Sequence, residues 1–424
     1  MRVKMASLYG KKDIRIRETE LPDLRDDEIL IKVMSNGICF STYKAAMKGE
    51  EHLRVPENVH ETPVVTGHEM AGIIEKVGEK WKGQYKEGTS CFLQAGIRYK
   101  GSEDAPGYSF EFFGGNATYT IIPGGYIESG CLLTYEDDYF AFASMGEPVS
   151  CIISAFHTCI HDYMEDMFVY DNIHGTKEGG NLLLMASCGP MGIGAIDYAV
   201  HGPARPKKLV VAEINEERLK RAAQLISPKE ASDYGVELIY VNPEDLDNEE
   251  QELRQLSGGK GYDDIMVFAA SERLVELGSS LLAVNGCLNF FAGPTDEQFK
   301  ARVNFYDIHY RRTHYVGNSG GNLDDIREMF DLSREGLITP EYMITHVTGL
   351  SEVPEIILNL PDIPGGKKLV YPHVDLPLMA LADFEKQADE DPVYKKIAGI
   401  LKANHGVWCK EAEQVLFAEK WIGD

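Results

Sequence analysis

The sequence lacks the apolar runs of a membrane protein, because no stretch approaches the roughly 18 consecutive apolar residues that a spanning helix needs. The opening residues, MRVKMASLYGKKDIRIRE, have basic residues near the start but no apolar segment behind them, which is not the pattern of a signal peptide. We therefore expect no membrane partner, and the cytoplasm is the expected location.

Closely spaced cysteine pairs are also missing. The eight cysteines are scattered over 424 residues, so the sequence predicts no disulfide framework. In a reducing compartment an isolated cysteine either packs in a core or binds a metal. Each cysteine therefore has to be judged by its neighbours in the sequence.

The sequence also has no surplus of basic residues. The chain has 67 Asp and Glu against 42 Lys and Arg, which gives a formal net charge of −25. Proteins that bind nucleic acid need a basic face for the phosphates, so we expect no nucleic-acid partner. An anionic small substrate would have to meet a local cluster of basic side chains.

The length exceeds what one compact core usually organises, so two domains are expected. Residues 1–155 contain short β-type runs, such as EILIKVMS and MAGIIEKVG, separated by Gly and Pro. This pattern is typical of an antiparallel, barrel-like β domain.

Apolar strands alternate with helical segments over residues 156–332. About six strands with helical crossovers predict an α/β fold with a Rossmann-type, doubly wound parallel sheet that binds a dinucleotide. Residues 333–375 are expected to return to the first domain, and residues 376–424 to form a helical C-terminal extension. The extension contains apolar residues such as Trp408 and Phe417, so it is expected to pack on the first domain or on a neighbouring subunit.

A glycine-containing loop joins the first strand and helix of the second domain, and it contains Gly189, Pro190, Met191 and Gly192. Such a loop brings the backbone and a helix N-terminus close to a pyrophosphate. Ser187 replaces the usual first glycine of this fingerprint.

An acidic residue, Glu213, follows at the end of the next strand, where a carboxylate binds the ribose of NAD and repels the extra phosphate of NADP. Arg218 follows on the helix and would soften that preference if it faced the cofactor. NAD(H) is the predicted cofactor, with NADP(H) as the alternative. Asn318, in the sequence GNSG, is expected to line the nicotinamide side.

A thiolate, an imidazole and two carboxylates occur in separate segments of the first domain: Cys39, His68, Glu69 and Glu147. This set suits a Zn²⁺ ion that keeps one position open for substrate. One thiolate and one carboxylate neutralise Zn²⁺, whereas two ligating carboxylates would leave a negative site. Glu69 and Glu147 are therefore expected to share or exchange the role of carboxylate ligand.

These motifs, GHE at 67–69, GIC at 37–39 and GPMG at 189–192, resemble those of the zinc-containing medium-chain alcohol and polyol dehydrogenases over roughly residues 1–373. The resemblance implies a GroES-like catalytic domain in which Cys39, His68 and Glu69 bind zinc and Glu147 lies at the metal. It also implies that the Ser41 hydroxyl relays a proton. Lys44 stands where many relatives have the histidine that ends this relay.

Many relatives also hold a structural zinc in a lobe of four cysteines, and the corresponding stretch after Cys91 has no such cluster, so one catalytic zinc per chain is expected. The aromatic segment from Tyr108 to Tyr119 is either a rigid loop near the active-site mouth or a plain hairpin.

Within the family, segments such as YKGSEDAPGYSFEFFGGNATYTIIP look like the subgroup that reduces L-sorbose 1-phosphate to a hexitol phosphate. Six basic residues near the metal motifs supply anchors for such a phosphate, and one or two of them are expected to bind it: Lys44, Lys48, His52, Arg54, Arg98 and Lys100.

Two other functions remain open at this point. A plain sorbitol- or threonine-type dehydrogenase would need no phosphate anchor, and a non-catalytic, nucleotide-sensing protein would use the same fold. The presence of the complete set of catalytic residues argues against the second. The expected partners are a small sugar or sugar phosphate and further copies of the chain, as a dimer or tetramer.

Overall fold

The computed structural model describes residues 1–96, 101–163 and 171–423. Its strands are β1 (Arg2–Gly10), β2 (Asp13–Glu20), β3 (Ile29–Gly37), β4 (Val64–Val65), β5 (Glu69–Val77), β6 (Ser90–Leu93), β7 (Tyr119–Ile122), β8 (Leu132–Tyr135), β9 (Ile160–Asp162), β10 (Asn172–His174), β11 (Asn181–Met185), β12 (Lys208–Ala212), β13 (Glu237–Val241), β14 (Tyr262–Val267), β15 (Leu282–Phe290), β16 (His314–Val316), β17 (Ile344–Gly349), β18 (Lys367–Tyr371) and β19 (Met379–Ala380).

Its helices are α1 (Phe40–Lys48), α2 (Gly124–Glu128), α3 (Ala141–Ser144), α4 (Gly146–Thr158), α5 (Pro190–His201), α6 (Glu216–Leu225), α7 (Pro228–Asp233), α8 (Glu249–Leu256), α9 (Glu272–Leu281), α10 (Phe305–Arg311), α11 (Leu323–Arg334), α12 (Val353–Leu358), α13 (Asp383–Lys386), α14 (Pro392–Ala403) and α15 (Lys410–Lys420). Among the described residues, no helix has the length and apolarity needed to cross a membrane.

The chain forms two compact units. The first contains Met1–Glu147 and Pro340–Asp424, and the second contains Pro148–Thr339. The sequence places these boundaries near residues 155 and 332 instead. The first of them falls inside α4, because one continuous helix carries the chain from one unit into the next and leaves no linker that a sequence pattern would reveal.

The first unit is built on β3, a strand that is buried on both faces for almost its whole length. It lies inside an eight-stranded sheet with the path β19-β17-β18-β3-β5-β6-β8, and β7 also pairs with β3. Gly37 at the end of β3 is paired with Glu69 of β5 on one side and with Leu369 of β18 on the other. This register brings three positions to the same end of the sheet: the residues that follow β3, the residues that precede β5, and the start of β18.

The second unit contains a six-stranded parallel sheet with the order β13-β12-β11-β14-β15-β16. The central strands are almost entirely apolar, as expected for a sheet covered by helices on both faces. The strand order reverses at β11, which is the position where doubly wound folds bind their ligands. The α/β fold with a Rossmann-type domain, a β-rich domain and a helical tail is confirmed.

The C-terminal tail packs on the first unit, which is one of the two expected locations. Trp408 is buried, and its Nε1 donates a hydrogen bond to the Tyr371 hydroxyl at 2.7 Å. That hydroxyl donates to Glu413 at 2.8 Å, and the Glu413 carboxyl also accepts from the backbone N–H groups of Phe140 and Ala141 at 2.8 and 2.9 Å. The tail therefore connects β18 to the segment that leads into α3.

We predict that Trp408→Ala lowers the free energy of unfolding by about 3–5 kcal/mol, because it empties a buried site and removes the hydrogen bond to Tyr371. Ile422→Ala is the matched control in the same tail, since Ile422 is 55% exposed, and it should change stability by less than about 0.5 kcal/mol. Urea unfolding of both variants measures the difference. Equal effects would show that the tail is not part of the folded catalytic unit.

Candidate active site

The strand register of the first unit assembles a group of potential metal ligands. Cys39 lies between β3 and α1, while His68 and Glu69 stand at the start of β5. One ligand atom from each of the three lies within 4.8 Å of the other two. Gly37 makes room for the group, because a Cβ at this position would lie 2.1 Å from Glu69 Oε2.

The unsatisfied atoms of this group indicate that it fits a metal. Among the described residues, His68 Nδ1 and Glu69 Oε2 are buried without a hydrogen-bond partner. Buried polar atoms almost always have a partner, so two such atoms side by side point to a missing ligand. A thiolate, an imidazole and a carboxylate are the donors that zinc prefers.

Lys367, a residue that the sequence reasoning missed, also belongs to this group. Its side chain is only 5% exposed, and its Nζ forms an ion pair with Glu69 Oε1. Burial lowers the pKa of Lys367, but the charges of Glu69 and Cys39 raise it more, so the lysine stays protonated. The available signal was the GGKK sequence before the apolar LVY run, where a lysine opens a buried strand.

Lys367 changes the expected charge balance of the metal site, in which one thiolate and one carboxylate neutralise Zn²⁺ and Glu69 and Glu147 alternate as that carboxylate. Glu147, in the first turn of α4, is buried, and burial raises its pKa to about 7, with His68 lowering and Glu69 raising it. Burial also raises the pKa of the Cys39 thiol, and Lys367 opposes that change. With the lysine counted, one thiolate and two carboxylates balance Zn²⁺ and one ammonium group, so both glutamates can be ionised beside a bound metal.

A hydrogen-bonded chain connects the group to Tyr108. The Ser41 hydroxyl donates to Cys39 Sγ at 2.9 Å, and the buried Tyr108 hydroxyl donates to Ser41 Oγ at 2.7 Å. The Tyr108 ring stacks on His68, with ring centroids 5.2 Å apart, and on His52, at 5.6 Å. Of the two interpretations of the segment from Tyr108 to Tyr119, the contacts of Tyr108 favour a loop that reaches the site.

Basic side chains lie next to this tyrosine. The guanidinium carbon of Arg54 is 5.7 Å from the centre of the Tyr108 ring. Lys44 and Lys48 lie one turn apart on α1, and burial lowers the pKa of Lys44, with Cys39 opposing and Lys48 adding to the shift. Arg98 and Lys100 lie outside the described residues.

In the second unit, the predicted cofactor loop lies between β11 and α5. A Cβ on Gly192 would lie 1.9 Å from the Ser187 carbonyl oxygen, so only glycine allows the helix to pack this closely. At Gly189, which precedes the first helical residue, a Cβ would meet no atom within 4 Å among the described residues. The loop therefore combines an open backbone with a helix N-terminus, the arrangement that binds phosphate.

Glu213 holds this loop in place. Its carboxylate is buried and accepts hydrogen bonds from the backbone N–H groups of Cys188 and Asn215, both at 3.1 Å. Burial raises the pKa of Cys188 to about 12, and the charge of Arg218 opposes that shift, so this guanidinium lies near the loop. Asn318 donates from Nδ2 to the Cys151 carbonyl at 3.0 Å, and in the described structure its buried Oδ1 has no partner.

A second group of buried side chains, Cys159, Asp264 and Cys287, has ligand atoms equally close together. Its polar atoms are satisfied by the protein, however. Asp264 accepts from the Lys177 N–H at 2.8 Å and lies 3.1 Å from His161 Nε2. Burial lowers the pKa of His161, but Asp264 raises it more, to about 9, which makes this a buried ion pair. Of the two groups found in the described residues, the one at Cys39 has the unsatisfied atoms that a metal would complete.

Two family models match the chain. They are the alcohol dehydrogenase GroES-like domain, over residues 25–129, and the zinc-binding dehydrogenase, over residues 190–335. The chain belongs to the zinc-binding alcohol dehydrogenase family and is an alcohol or polyol dehydrogenase, as the resemblance of its motifs implied.

Individual relatives narrow the comparison. The chain is 51% identical over 411 residues to mannitol-1-phosphate 5-dehydrogenase of Aliivibrio fischeri, covering 97% of this chain and 96% of that protein. It is 41% identical over 411 residues to L-sorbose 1-phosphate reductase of Klebsiella pneumoniae, again covering 97% and 96%.

Among solved structures, a zinc-binding dehydrogenase from Sinorhizobium meliloti 1021 bound to NADP superposes with a TM-score of 0.69 at 19% identity. The match covers 88% of this chain and all of that one, and it agrees with the fold.

We predict that Lys367→Met lowers the free energy of unfolding of the metal-free protein by about 3–5 kcal/mol, because it leaves Glu69 buried without its partner charge. Lys82→Met is the control, since Lys82 is 54% exposed and pairs with Glu79 at the surface, where solvent screens the ion pair, so it should change stability far less. Chemical unfolding of both variants in the presence of a chelator measures the two values. If Lys367→Met were no worse than the control, the buried ion pair would not stabilise the site.

Proposed function

We propose that the chain is a zinc-dependent, NADH-linked reductase that converts a ketose phosphate, such as L-sorbose 1-phosphate, into the hexitol phosphate. The observation that carries this proposal is the arrangement around Tyr108. Its hydroxyl connects through Ser41 to the potential metal ligand Cys39, and its ring contacts the basic residues His52 and Arg54. Tyr108 is therefore connected both to the candidate metal ligands and to a pair of basic residues.

In this proposal, Cys39 and His68 hold the zinc together with Glu69 or Glu147. Bound zinc supplies Lewis-acid polarisation of the substrate oxygen. Ser41 passes a proton to that oxygen, and for this step the Ser41 hydroxyl rotates so that its proton points to the substrate and not to the Cys39 sulfur. The Tyr108 hydroxyl donates to Ser41 Oγ, so the Ser41 proton cannot point towards Tyr108. Lys367 forms an ion pair with Glu69 and holds its carboxylate in place. Lys44, half-buried on α1, is the basic residue proposed to follow Ser41 in the relay.

A nicotinamide cofactor is proposed for the loop of the second unit, with its pyrophosphate at Gly189, Pro190, Met191 and Gly192. Glu213 places a carboxylate at the ribose position, which favours NADH. The Sinorhizobium meliloti structure contains NADP, so the fold also accepts the phosphorylated cofactor, and Arg218 is the residue here that would bind the additional phosphate. Asn318 is proposed to line the nicotinamide side.

A phosphorylated substrate is supported by two independent facts. The names of both close relatives specify a sugar phosphate or a polyol phosphate. In addition, this strongly acidic chain places His52 and Arg54 against Tyr108, and Lys44 lies close enough to Cys39 for their charges to interact.

The metal content gives one test. We predict one tightly bound zinc per chain, because, of the two groups of clustered ligands found in the described structure, the one at Cys39 contains unsatisfied atoms and the other does not. Elemental analysis of the purified wild type and of Cys39→Ala measures it, and the variant should lose zinc and activity while keeping its circular dichroism spectrum. Cys91→Ala, at a cysteine outside both groups, is the control and should retain its zinc. Two zinc ions per chain would contradict the assignment.

The substrate gives the second test. One or two charge-assisted contacts supply about 1.5–3 kcal/mol each, so kcat/KM for sorbose 1-phosphate should exceed that for free sorbose by at least roughly 10-fold to 150-fold. Absorbance of NADH at steady state measures both, and NADPH in place of NADH should give the lower kcat/KM. Equal turnover of free and phosphorylated sugars would replace this proposal with a plain polyol dehydrogenase. No turnover of any polyol or ketose with either cofactor would favour the nucleotide-sensing alternative.

A further inference from the structure

The basic residues around Tyr108 differ in how firmly they are positioned. Arg54 is fixed at three points. Its backbone N–H donates to His52 Nδ1 at 3.3 Å, its carbonyl accepts from the Ser109 hydroxyl at 2.7 Å, and its guanidinium lies over the Tyr108 ring. Ser109 is itself held, since its hydroxyl oxygen accepts from the Ala105 N–H at 3.0 Å. The Arg54 side chain is therefore preorganised against the same tyrosine that reaches Ser41.

His52 adds a second donor of defined orientation. Because its Nδ1 accepts the backbone N–H of Arg54, the neutral ring carries its proton on Nε2. The ring stacks on Tyr108 at an interplanar angle of 8°. Burial, together with the charges of Arg54 and Lys48, lowers the pKa of His52, so these three groups lie close enough to feel one another. Like charges gathered in this way are stabilised when an anion binds among them.

The charges nearby leave a place for such an anion. In the described parts of the chain, no carboxylate forms an ion pair with Arg54, although most other arginines of the first unit have one, including Arg15, Arg17 and Arg25. A guanidinium offers paired donors that match two phosphate oxygens, and the imidazole N–H adds a third.

We propose that Arg54 and His52 form the subsite that binds the phosphate group of the substrate, with Lys48 adding to the positive field. This inference rests on the proposed function and assigns its phosphate to particular residues. Tyr108 would then separate the phosphate end of the substrate from the metal end, with its ring against Arg54 and His52 and its hydroxyl towards Ser41. Lys44, which is close enough to Cys39 to feel its charge, belongs to the metal end.

The first test is kinetic and uses Arg54→Ala and Arg54→Lys in the zinc-containing protein. The ratio of kcat/KM for sorbose 1-phosphate to that for free sorbose should fall by about 10-fold to 150-fold in Arg54→Ala, through an increase in KM for the ester. Arg54→Lys should lie in between, since it keeps the charge but loses the paired donors. Arg2→Ala, at an exposed arginine of β1, is the control and should leave the ratio unchanged.

A second measurement separates this proposal from the proposed reaction. Isothermal titration with inorganic phosphate and with glucitol 6-phosphate should show binding to the wild type that is weakened in Arg54→Ala, at unchanged zinc content. If the wild type binds phosphate in this way but reduces no ketose phosphate, the reaction is wrong and the subsite stands. If ketose phosphate turnover is confirmed but Arg54→Ala leaves the ratio and the binding unchanged, the subsite is wrong. An equal loss with free and phosphorylated sugar would show that Arg54 only positions Tyr108, and would also overturn the assignment.

Discussion

The buried ion pair between Lys367 and Glu69 is the interaction on which the candidate metal site depends. β5 and β18 flank β3, so the pair connects the two neighbours of the central strand across its end. Taking an ammonium and a carboxylate out of water is costly unless the two groups meet closely, and they do so only in the observed register. A shift of either strand by one residue would turn its side chain to the opposite face of the sheet. The pairing of three strands thus fixes the geometry of Cys39, His68 and Glu69.

The fold was largely predictable because its signals are local. Each strand of the parallel sheet is a short apolar run followed by a helix with polar periodicity, and the loop with Gly189 and Gly192 occurs where such a fold requires it. The core of the metal group was predictable for a similar reason, since Cys39 and the pair His68 and Glu69 each sit in a short motif. The strand β17, by contrast, was not foreseen, because its run of six residues contains Thr, His and Gly and lacks a clear alternation.

Lys367 and Tyr108 were not identified because their roles depend on distant parts of the chain. A lysine beside two glycines and a second lysine reads as a solvated charge, and only the pairing of β18 with β3 places it in the core. Tyr108 is one of several aromatic residues in its segment, and no pattern distinguishes it from Tyr119. Contacts across the sheet decide which of them reaches Ser41. The expected charge balance was incomplete for the same reason, since it counted the anions of the motifs and omitted a cation from elsewhere.

The division of the first unit between the two ends of the chain has a consequence for its biosynthesis. Lys367 follows Glu69 by 298 residues, and Glu413 follows Phe140 by 273. All strands of the parallel sheet have been translated by Thr339, so the second unit can fold while the ribosome is still extending the chain. The β-rich unit cannot complete its fold at that stage, because β18, which pairs with β3, and the tail, which binds the start of α3, have not yet been translated. In a nascent chain, β7 can already pair with the first half of β3, but the end of β3 at Asn36 and Gly37 stays unpaired until β18 emerges. During this interval we expect the protein to be most prone to aggregation and most dependent on chaperones.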